Sequence, residues 1–245
     1  MINEIYLFIV ERKVLCEIII PCYNEASSLN LLIKKCEEIT NSCNIRFIFI
    51  DNGSTDNTWA IMCASTFSSE KIKFQRLNQN LGYGGGLLSG LRITEAPYVG
   101  WIHADLQVDP SIFIEVLRKI PVSNLTPILI KGKRRNRNIM DTLVSMGMSL
   151  FESTLFTKLI HEVNAQPTIF SRELNNYMVN PPKDFMLDLY VYVLALRHNY
   201  IIQRWSVNFN QRFGGVSSWN SGFSSKLKFI SRTMKYSINL RLNKS

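Results

Sequence analysis

Apolar runs alternate with amphipathic segments along the first half of the chain. Five runs rich in β-branched and aromatic residues have the length of strands, at 14–20, 45–50, 71–76, 98–102 and 127–132. Segments with helical spacing of apolar residues lie between them, at 27–39, 58–67, 85–94 and 111–120. Apolar strands separated by helices are typical of a parallel sheet that is buried on both faces. The pattern predicts an α/β fold with a mostly parallel central sheet flanked by helices.

The second half is richer in helix-like segments. Its pattern predicts long helices over 139–160 and 184–199, the latter followed by a short strand, and a Gly/Ser-rich loop over 213–225. The sequence shows no internal repeat and no linker long enough to separate two domains. We therefore expect one domain over residues 1–225, followed by a basic amphipathic tail over 226–245.

Polar stretches follow three of the predicted strands. They are PCYNE after the first strand, DNGSTDNT after the second and HADLQVDP after the fourth. In open parallel sheets, ligands bind at the carboxyl ends of the strands, so these stretches are candidate ligand-binding loops. Taken alone, DNGSTDNT is also consistent with a purely structural role, as a turn followed by a helix cap. The glycine-rich NLGYGGG before the third helix is, taken alone, weak evidence for a phosphate site.

Alternating polar residues after the fourth strand suit a metal ion. Asp105 and Gln107 are two positions apart, so they face the same way in an extended segment, and Mg²⁺ and Mn²⁺ take oxygen ligands. His103 shares that side, either as a third ligand or as a polar residue satisfied at the strand end. Asp109 precedes Pro110 and is interpreted as the cap of the next helix. We predict a divalent-metal site at Asp105 and Gln107, with His103 as an open candidate.

The net charge of +9 is concentrated near the C-terminus. Residues 1–188 hold 19 basic and 19 acidic side chains, whereas residues 189–245 hold nine basic and no acidic ones. Such an excess attracts nucleic acid, a phosphorylated substrate or an anionic membrane. The aromatic residues of the tail form no recognised RNA-binding motif, which argues against nucleic acid. The run KGKRRNR at 131–137 is either a solvated face or a clamp for phosphates.

Features of targeting and redox compartment favour a cytoplasmic protein. No apolar stretch approaches the roughly 20 residues of a membrane-spanning helix, and the N-terminal IYLFIV is followed by charges that do not suit a signal peptide. Five cysteines without C-x-x-C spacing indicate reduced thiols. The tail has apolar residues at helical spacing among its cations. It is either an interfacial helix at the inner face of the cell membrane or a helix docked on the domain.

Seven stretches, taken together, resemble the family-2 glycosyltransferases, particularly the dolichyl-phosphate mannosyltransferase-like branch. In chain order they are IIIPCYNEASSL, FIDNGSTDNT, NLGYGGGLLSGL, WIHADLQVDP, IKGKRR, NAQPTIFSR and RFGGVSSW. The resemblance implies a GT-A-like domain and a hexosyltransferase that holds a sugar nucleotide through Mg²⁺ or Mn²⁺. It also implies a role for nine residues, namely nucleoside contacts from Pro21, Tyr23 and Glu25, a bond to the base from Asp51, metal ligation by Asp105 and Gln107, His103 at the neighbouring ligand position, and phosphate contacts from Arg134 and Arg212.

Three positions depart from the family pattern. His103 stands where the branch commonly has the first Asp of D-A-D-L-Q, and Asn52 stands where a second Asp is usual in D-D-G-S-T. Ser218 replaces the Lys of R-x-x-G-x-S-K, which removes one possible phosphate contact. The histidine leaves the geometry of the metal site and the choice of metal open.

Three functions compete. The resemblance favours sugar transfer from a nucleotide diphosphate to a polyprenyl phosphate at the cytoplasmic membrane face, because a phosphate is ionised at neutral pH and attacks without a base. Transfer to a saccharide hydroxyl in cell-surface glycan synthesis needs a general base. The candidates are Asp184 and Asp188, four apart on one helical face, for which capping and simple exposure are the respective alternatives. A degenerate homologue that binds nucleotide without turnover is the third possibility.

Overall fold

A computed structural model describes residues 14–65, 70–120, 127–135, 139–210 and 223–242, and its centre is a seven-stranded sheet. The strands are β1 (Cys16–Cys22), β2 (Ile45–Asp51), β3 (Ile72–Arg76), β4 (Tyr98–Trp101), β5 (Ile128–Arg135), β6 (Thr168–Ser171) and β7 (Ile201–Asn208). Their order across the sheet is β3-β2-β1-β4-β6-β5-β7. Within the described residues, β6 runs antiparallel to both neighbours and the other pairings are parallel. The predicted α/β fold with a mostly parallel sheet is confirmed.

Helices flank the sheet where the sequence predicts them. They are α1 (Ala26–Thr40), α2 (Thr58–Ala64), α3 (Gly82–Leu91), α4 (Ile112–Lys119), α5 (Ile139–Phe156), α6 (Met186–Arg197) and α7 (Phe223–Leu242), with a 3₁₀ helix at Arg172–Tyr177. Helix α3 begins at Gly82, earlier than the expected start at residue 85. Its glycines allow a close approach, since a Cβ on Gly84 would lie 2.6 Å from the carbonyl oxygen of Pro182.

The pattern of the sequence does not predict β6, a strand of four residues. It lies between β4 and β5, with Thr168 opposite both Trp101 and Lys131. Because β6 is antiparallel to both neighbours, β4 and β5 point the same way. The carboxyl end of β4 and the middle of β5 therefore lie near each other across the start of β6.

The core has two apolar layers, one on each face of the sheet. Ile18 and Ile20 of β1 pack into one layer, and Ile19 between them packs into the other. This alternation explains why the parallel strands are apolar throughout, since both of their faces are covered. Burying a large aliphatic or aromatic side chain stabilises the fold by about 1.5–3 kcal/mol. The two layers fix the strand ends on which the candidate site depends.

Helix α7 covers most of the predicted tail and packs against α5 and α6. Thr233 and Ser237 are buried on its inner side, and their hydroxyls donate to the carbonyl oxygens four residues earlier. Tyr236 and Leu240 pack against the core. Among the described helices, none is both long enough and apolar enough to cross a bilayer.

Candidate functional site

Three loops meet at the carboxyl edge of the sheet. Strand β1 pairs in parallel with both β2 and β4, so the loops that follow these strands are neighbours. The backbone N–H of Asn24 donates to Ser54 Oγ at 3.0 Å, and the N–H of Glu25 donates to Thr58 Oγ1 at 2.9 Å. The prediction that PCYNE, DNGST and HADLQ share one edge is confirmed.

Asp51, the residue expected to bond the base, ends β2 and is fully buried. Its Oδ1 accepts a hydrogen bond from the Ser54 N–H at 2.9 Å. Its Oδ2 lies 3.1 Å from Arg76 Nε, yet within the described residues this buried oxygen accepts no well-aligned hydrogen bond. One carboxylate oxygen at the edge therefore retains the capacity to accept from a ligand. Arg76, which balances the charge, is not identified by the sequence motifs.

The other predicted nucleoside residues border Asp51. Pro21 on β1 is opposite Ile50 on β2, one position before Asp51. Tyr23 is exposed and Glu25 is half-buried, both in the loop that follows β1. Arg212 lies outside the described residues, as does the RFGGVSSW stretch that contains Ser218.

Asn52 links the second loop to the glycine-rich start of α3. Its Oδ1 accepts from the Leu81 N–H at 3.0 Å, while its Nδ2 donates to the carbonyl of Gly82 at 3.0 Å and to Asn80 Oδ1 at 3.3 Å. A carboxylate can accept the first bond but cannot donate the other two. The structure thus gives a physical reason for asparagine at a position where the family pattern usually has aspartate.

The predicted metal ligands lie in the loop after β4. Asp105 is almost completely buried, and its Oδ1 accepts from the N–H of Gln107 at 3.1 Å. Asp109 instead pairs with Lys35 at 2.6 Å and accepts from the N–H of Ser111, which is the N-cap residue of α4, so the helix is capped two residues later than the sequence predicts. The described part of the chain contains no cluster of three or more His, Cys, Asp or Glu side chains that could hold a metal ion.

This donor set fits a cation that arrives with its substrate. Mg²⁺ is usually bound by one or two carboxylates together with waters and substrate phosphates, rather than by a cage of protein ligands. The Asp105 carboxylate and the Gln107 side-chain carbonyl are hard oxygen donors of this kind. The residues present therefore suit Mg²⁺ or Mn²⁺ held jointly with a diphosphate.

Behind this loop lies a buried polar network centred on Asp188. Its Oδ1 accepts from Lys131 Nζ at 2.7 Å, from Thr168 Oγ1 at 3.2 Å and from Trp101 Nε1 at 3.3 Å. Its Oδ2 accepts from the Tyr83 hydroxyl at 3.0 Å. The interpretation of Asp188 as simply exposed is wrong, because its face of α6 packs on the sheet and leaves it 2% exposed. Burial lowers the pKa of Lys131, and the Asp188 charge opposes that shift.

Tyr83 joins this network to His103. Its hydroxyl lies 3.1 Å from His103 Nε2 and 3.3 Å from Gln166 Nε2, and its ring stacks on Phe185 at a centroid distance of 4.5 Å. Burial, followed by the charge of Asp188, raises the pKa of the Tyr83 phenol well above its usual value, so the hydroxyl stays protonated. Both Tyr83 and Gln166 lie inside family-like stretches, NLGYGGG and NAQPTIFSR, and that membership is the one signal that marks them in the sequence.

Asp184 and Arg134 already have partners of their own. Asp184 lies one residue before Phe185, the N-cap of α6; its Oδ1 accepts from the Met186 N–H at 3.0 Å, and its Oδ2 pairs with Arg232 of α7 at 2.7 Å. Arg134 Nε lies 2.8 Å from Glu162 Oε2, so its charge is balanced within the chain. The run KGKRRNR is therefore not a uniform solvated face, since its first residue, Lys131, is buried and Arg134 is mostly buried.

Comparison with known proteins relates this chain to sugar transferases. The family model described as "Glycosyl transferase family 2" matches residues 17–168. An undecaprenyl-phosphate 4-deoxy-4-formamido-L-arabinose transferase from Aeromonas hydrophila is 30% identical over 128 residues, which are 50% of this chain and 38% of that protein. An uncharacterised glycosyltransferase from Bacillus subtilis is 24% identical over 154 residues, 59% of this chain and 46% of that protein. The chain spans less than half the length of these two relatives.

Solved structures agree on the fold. Glucosyl-3-phosphoglycerate synthase from Mycobacterium tuberculosis, in complex with Mn²⁺, uridine diphosphate and phosphoglyceric acid, superposes with a TM-score of 0.72 at 16% identity, covering 99% of this chain and 83% of that one. Likeness at this identity supports the predicted GT-A-like fold and does not extend to substrates. With the family model covering more than half of its length, the chain belongs to glycosyl transferase family 2.

Proposed function

We propose that this glycosyltransferase moves a hexosyl group from a nucleoside diphosphate to a polyprenyl phosphate, with a divalent metal ion. The observation that carries the proposal is that Asp51 ends β2 and Asp105 lies in the loop after β4, two strands that both pair with β1. The Mycobacterium tuberculosis neighbour was solved with Mn²⁺ and uridine diphosphate, which supports a donor of the same class.

At the carboxyl edge of the sheet, two separate groups of residues would contact the sugar-nucleotide donor. Asp51 Oδ2 would accept an N–H of the base, since a buried carboxylate oxygen without an aligned hydrogen bond gains most from such a donor. Asp105 and Gln107 would hold the cation. When bound, the cation supplies charge neutralisation of the departing diphosphate. Pro21, Tyr23 and Glu25 would border the nucleoside beside Asp51.

The state of the two candidate bases favours a phosphate acceptor. Asp188 accepts from four donors and is paired with Lys131, so its lone pairs are engaged inside the fold. Asp184 is engaged by Met186 and Arg232. A sugar hydroxyl needs a base to take its proton, whereas a phosphate monoester attacks already ionised. The relatives named undecaprenyl-phosphate transferases support the same acceptor class.

A lipid-linked acceptor places the reaction at the inner membrane face. Among the side chains of α7 whose burial is described, three apolar ones are exposed beside exposed cations, namely Leu227, Ile238 and Leu242. Basic helices with exposed apolar residues bind anionic interfaces. We accordingly infer a peripheral association with an anionic surface.

An acceptor assay tests this function. The donor base is first identified as the nucleoside diphosphate that, with Mn²⁺, most raises the melting temperature, because ligands stabilise the state that binds them. The enzyme then receives sugar nucleotide with undecaprenyl phosphate, dolichyl phosphate or a panel of saccharides. We expect transfer to the polyprenyl phosphates. Transfer confined to saccharides, and lost in Asp184→Asn, would establish the saccharide alternative instead.

A further inference from the structure

The outward face of α5 is apolar, where a surface helix usually carries charge. Among the described residues 142–156, the only ionisable side chain is Glu152, and it is buried. Four large apolar side chains of this helix are exposed, by 40–71% of their surface: Leu143, Val144, Met146 and Leu150. A helix at the surface of a globular protein normally turns polar and charged residues outward. This face therefore lacks the composition that suits contact with water alone.

The apolar face of α5 lies beside a cationic helix. Helix α7 packs on α5 and exposes the cations Lys228, Lys235 and Arg241. The axes of packed helices are about 8–10 Å apart, so the two helices are immediate neighbours at the surface of the molecule. Exposed apolar residues together with Lys and Arg are typical of helices that bind the interface of an anionic bilayer. The composition of the pair of helices thus matches an anionic lipid surface.

We propose that the exposed face of α5 enters the apolar part of an anionic lipid bilayer, while the cations of α7 contact the lipid headgroups. The proposal rests on the proposed function, because it explains how a peripheral transferase reaches a lipid-linked acceptor. Helix α5 begins four residues after Arg135, the last residue of β5, and β5 points the same way as β4. The start of α5 therefore lies near the edge of the sheet that carries Asp51 and Asp105.

The size of the face favours a bilayer over a second copy of the chain. A stable protein interface uses roughly 20–30 residues on each partner. The described part of α5 has six exposed residues, which are the four apolar ones together with Gly147 and Thr154. A bilayer needs no partner surface of matching shape, and its binding strength grows with the buried apolar area and with attraction to anionic lipids. Helix α5 supplies the first contribution and α7 supplies the second.

The apolar contribution can be removed without changing the net charge. Met146→Gln and Leu150→Gln together keep good helix formers and delete two apolar side chains, exposed by 62% and 71%. Ile93→Gln and Ile201→Gln together are the matched control, because these side chains are also exposed, by 42% and 53%, and belong to neither helix. Flotation over a range of phosphatidylglycerol vesicle concentrations measures the affinity.

We expect the α5 variant to bind vesicles about tenfold or more weakly than the wild type, since burial of each apolar side chain favours the bound state. The control should bind as the wild type does. Equal affinities in the α5 variant and the control would overturn the proposal.

A fluorescent label tests whether α5 enters the bilayer. With the exposed Cys63 removed by Cys63→Ser, Leu150→Cys carries a dye that brightens in apolar surroundings, and Ile201→Cys is the matched position. We expect the dye at position 150 to brighten on phosphatidylglycerol vesicles and to be quenched by nitroxides in the acyl chains. The dye at position 201 should show neither change. An unchanged signal at position 150, in protein that floats with the vesicles, would overturn the proposal.

A dimer through α5 is the competing outcome. In that case the dye at position 150 would brighten with protein concentration in the absence of lipid, and sedimentation velocity would show a dimer that Met146→Gln with Leu150→Gln dissociates. That result would replace the bilayer with a second copy of the chain. None of these measurements needs turnover, so a protein whose α5 enters vesicles and that transfers no sugar would contradict the proposed function alone. Transfer to polyprenyl phosphate with an unchanged dye signal would contradict the placement of α5 alone.

Discussion

Asp105 is buried in the loop that follows β4, where a leaving diphosphate would develop charge. In Asp105→Asn the site keeps its shape and loses its one carboxylate donor to the cation. We expect turnover to fall by about 100-fold or more, since a charge-stabilising group of this kind contributes several kcal/mol to the transition state. Asp109→Asn is the matched control, because Asp109 lies four residues further along the chain and pairs with Lys35 instead. Sugar transfer measured over a range of Mn²⁺ concentrations gives the comparison, and equal rates in the two variants would contradict the role of Asp105.

The strand-end residues are predictable from the sequence, and their side-chain partners are not. Asp51 and Asp105 follow apolar runs, so their place at one edge follows from the parallel sheet. The partner of Asp188 is Lys131, which lies 57 positions earlier on a different element. No local pattern reports such a pair. For this reason, Asp188 has the sequence features of an exposed base and the structural position of a buried ion.

At the scale of elements, the predicted helices and strands are those with long, regular apolar patterns. Strand β6 has four residues and follows Pro167, which gives too short a pattern to mark a strand. Its place in the sheet is decided by pairing with β4 and β5, which are distant in sequence. The early start of α3 depends on packing of its glycines against residues 182–184, which is equally non-local.

Helix α5 carries a buried carboxyl group that should make stability depend on pH. Burial raises the pKa of Glu152 from 4.5 to about 7. The folded state therefore binds a proton more tightly than the unfolded state does, and stability falls as pH rises from the unfolded value through the folded one. The resulting loss of stability is at most about 3 kcal/mol, and it is fully developed above about pH 7.

Glu152→Gln removes this ionisation and keeps the shape of the side chain. We expect the variant to exceed the wild type in free energy of unfolding by up to about 3 kcal/mol near pH 8, and to match it near pH 4.5. Urea denaturation at both pH values measures the difference. Glu38→Gln, at an exposed position of α1, is the matched control for the change of carboxylate to amide. A variant with the same free energy of unfolding as the wild type at both pH values would mean that ionising Glu152 in the folded state costs little.

At the scale of the whole molecule, the docked and interfacial interpretations of the tail are compatible. Helix α7 turns its small polar residues Thr233 and Ser237 inward, and it leaves Leu227 and Leu242 exposed. Exposed cations lie on the same helix at Lys228, Lys235 and Arg241, on a domain whose first 188 residues carry no net charge. Part of the positive charge excess is therefore exposed on α7, and this helix would be the part of the molecule that contacts an anionic surface.

Replacing those cations should release the protein from anionic vesicles. Each contributes about 1 kcal/mol near such a surface, so Lys228→Gln, Lys235→Gln and Arg241→Gln together should weaken binding about 100-fold. Flotation with phosphatidylglycerol vesicles measures the bound fraction. The matched control changes three exposed cations of α1, β3 and the end of α3 in the same way: Lys34→Gln, Lys73→Gln and Arg92→Gln. Because both variants lose the same charge, equal losses would mean that net charge alone drives binding, whereas a loss confined to the α7 variant assigns the membrane contact to that helix.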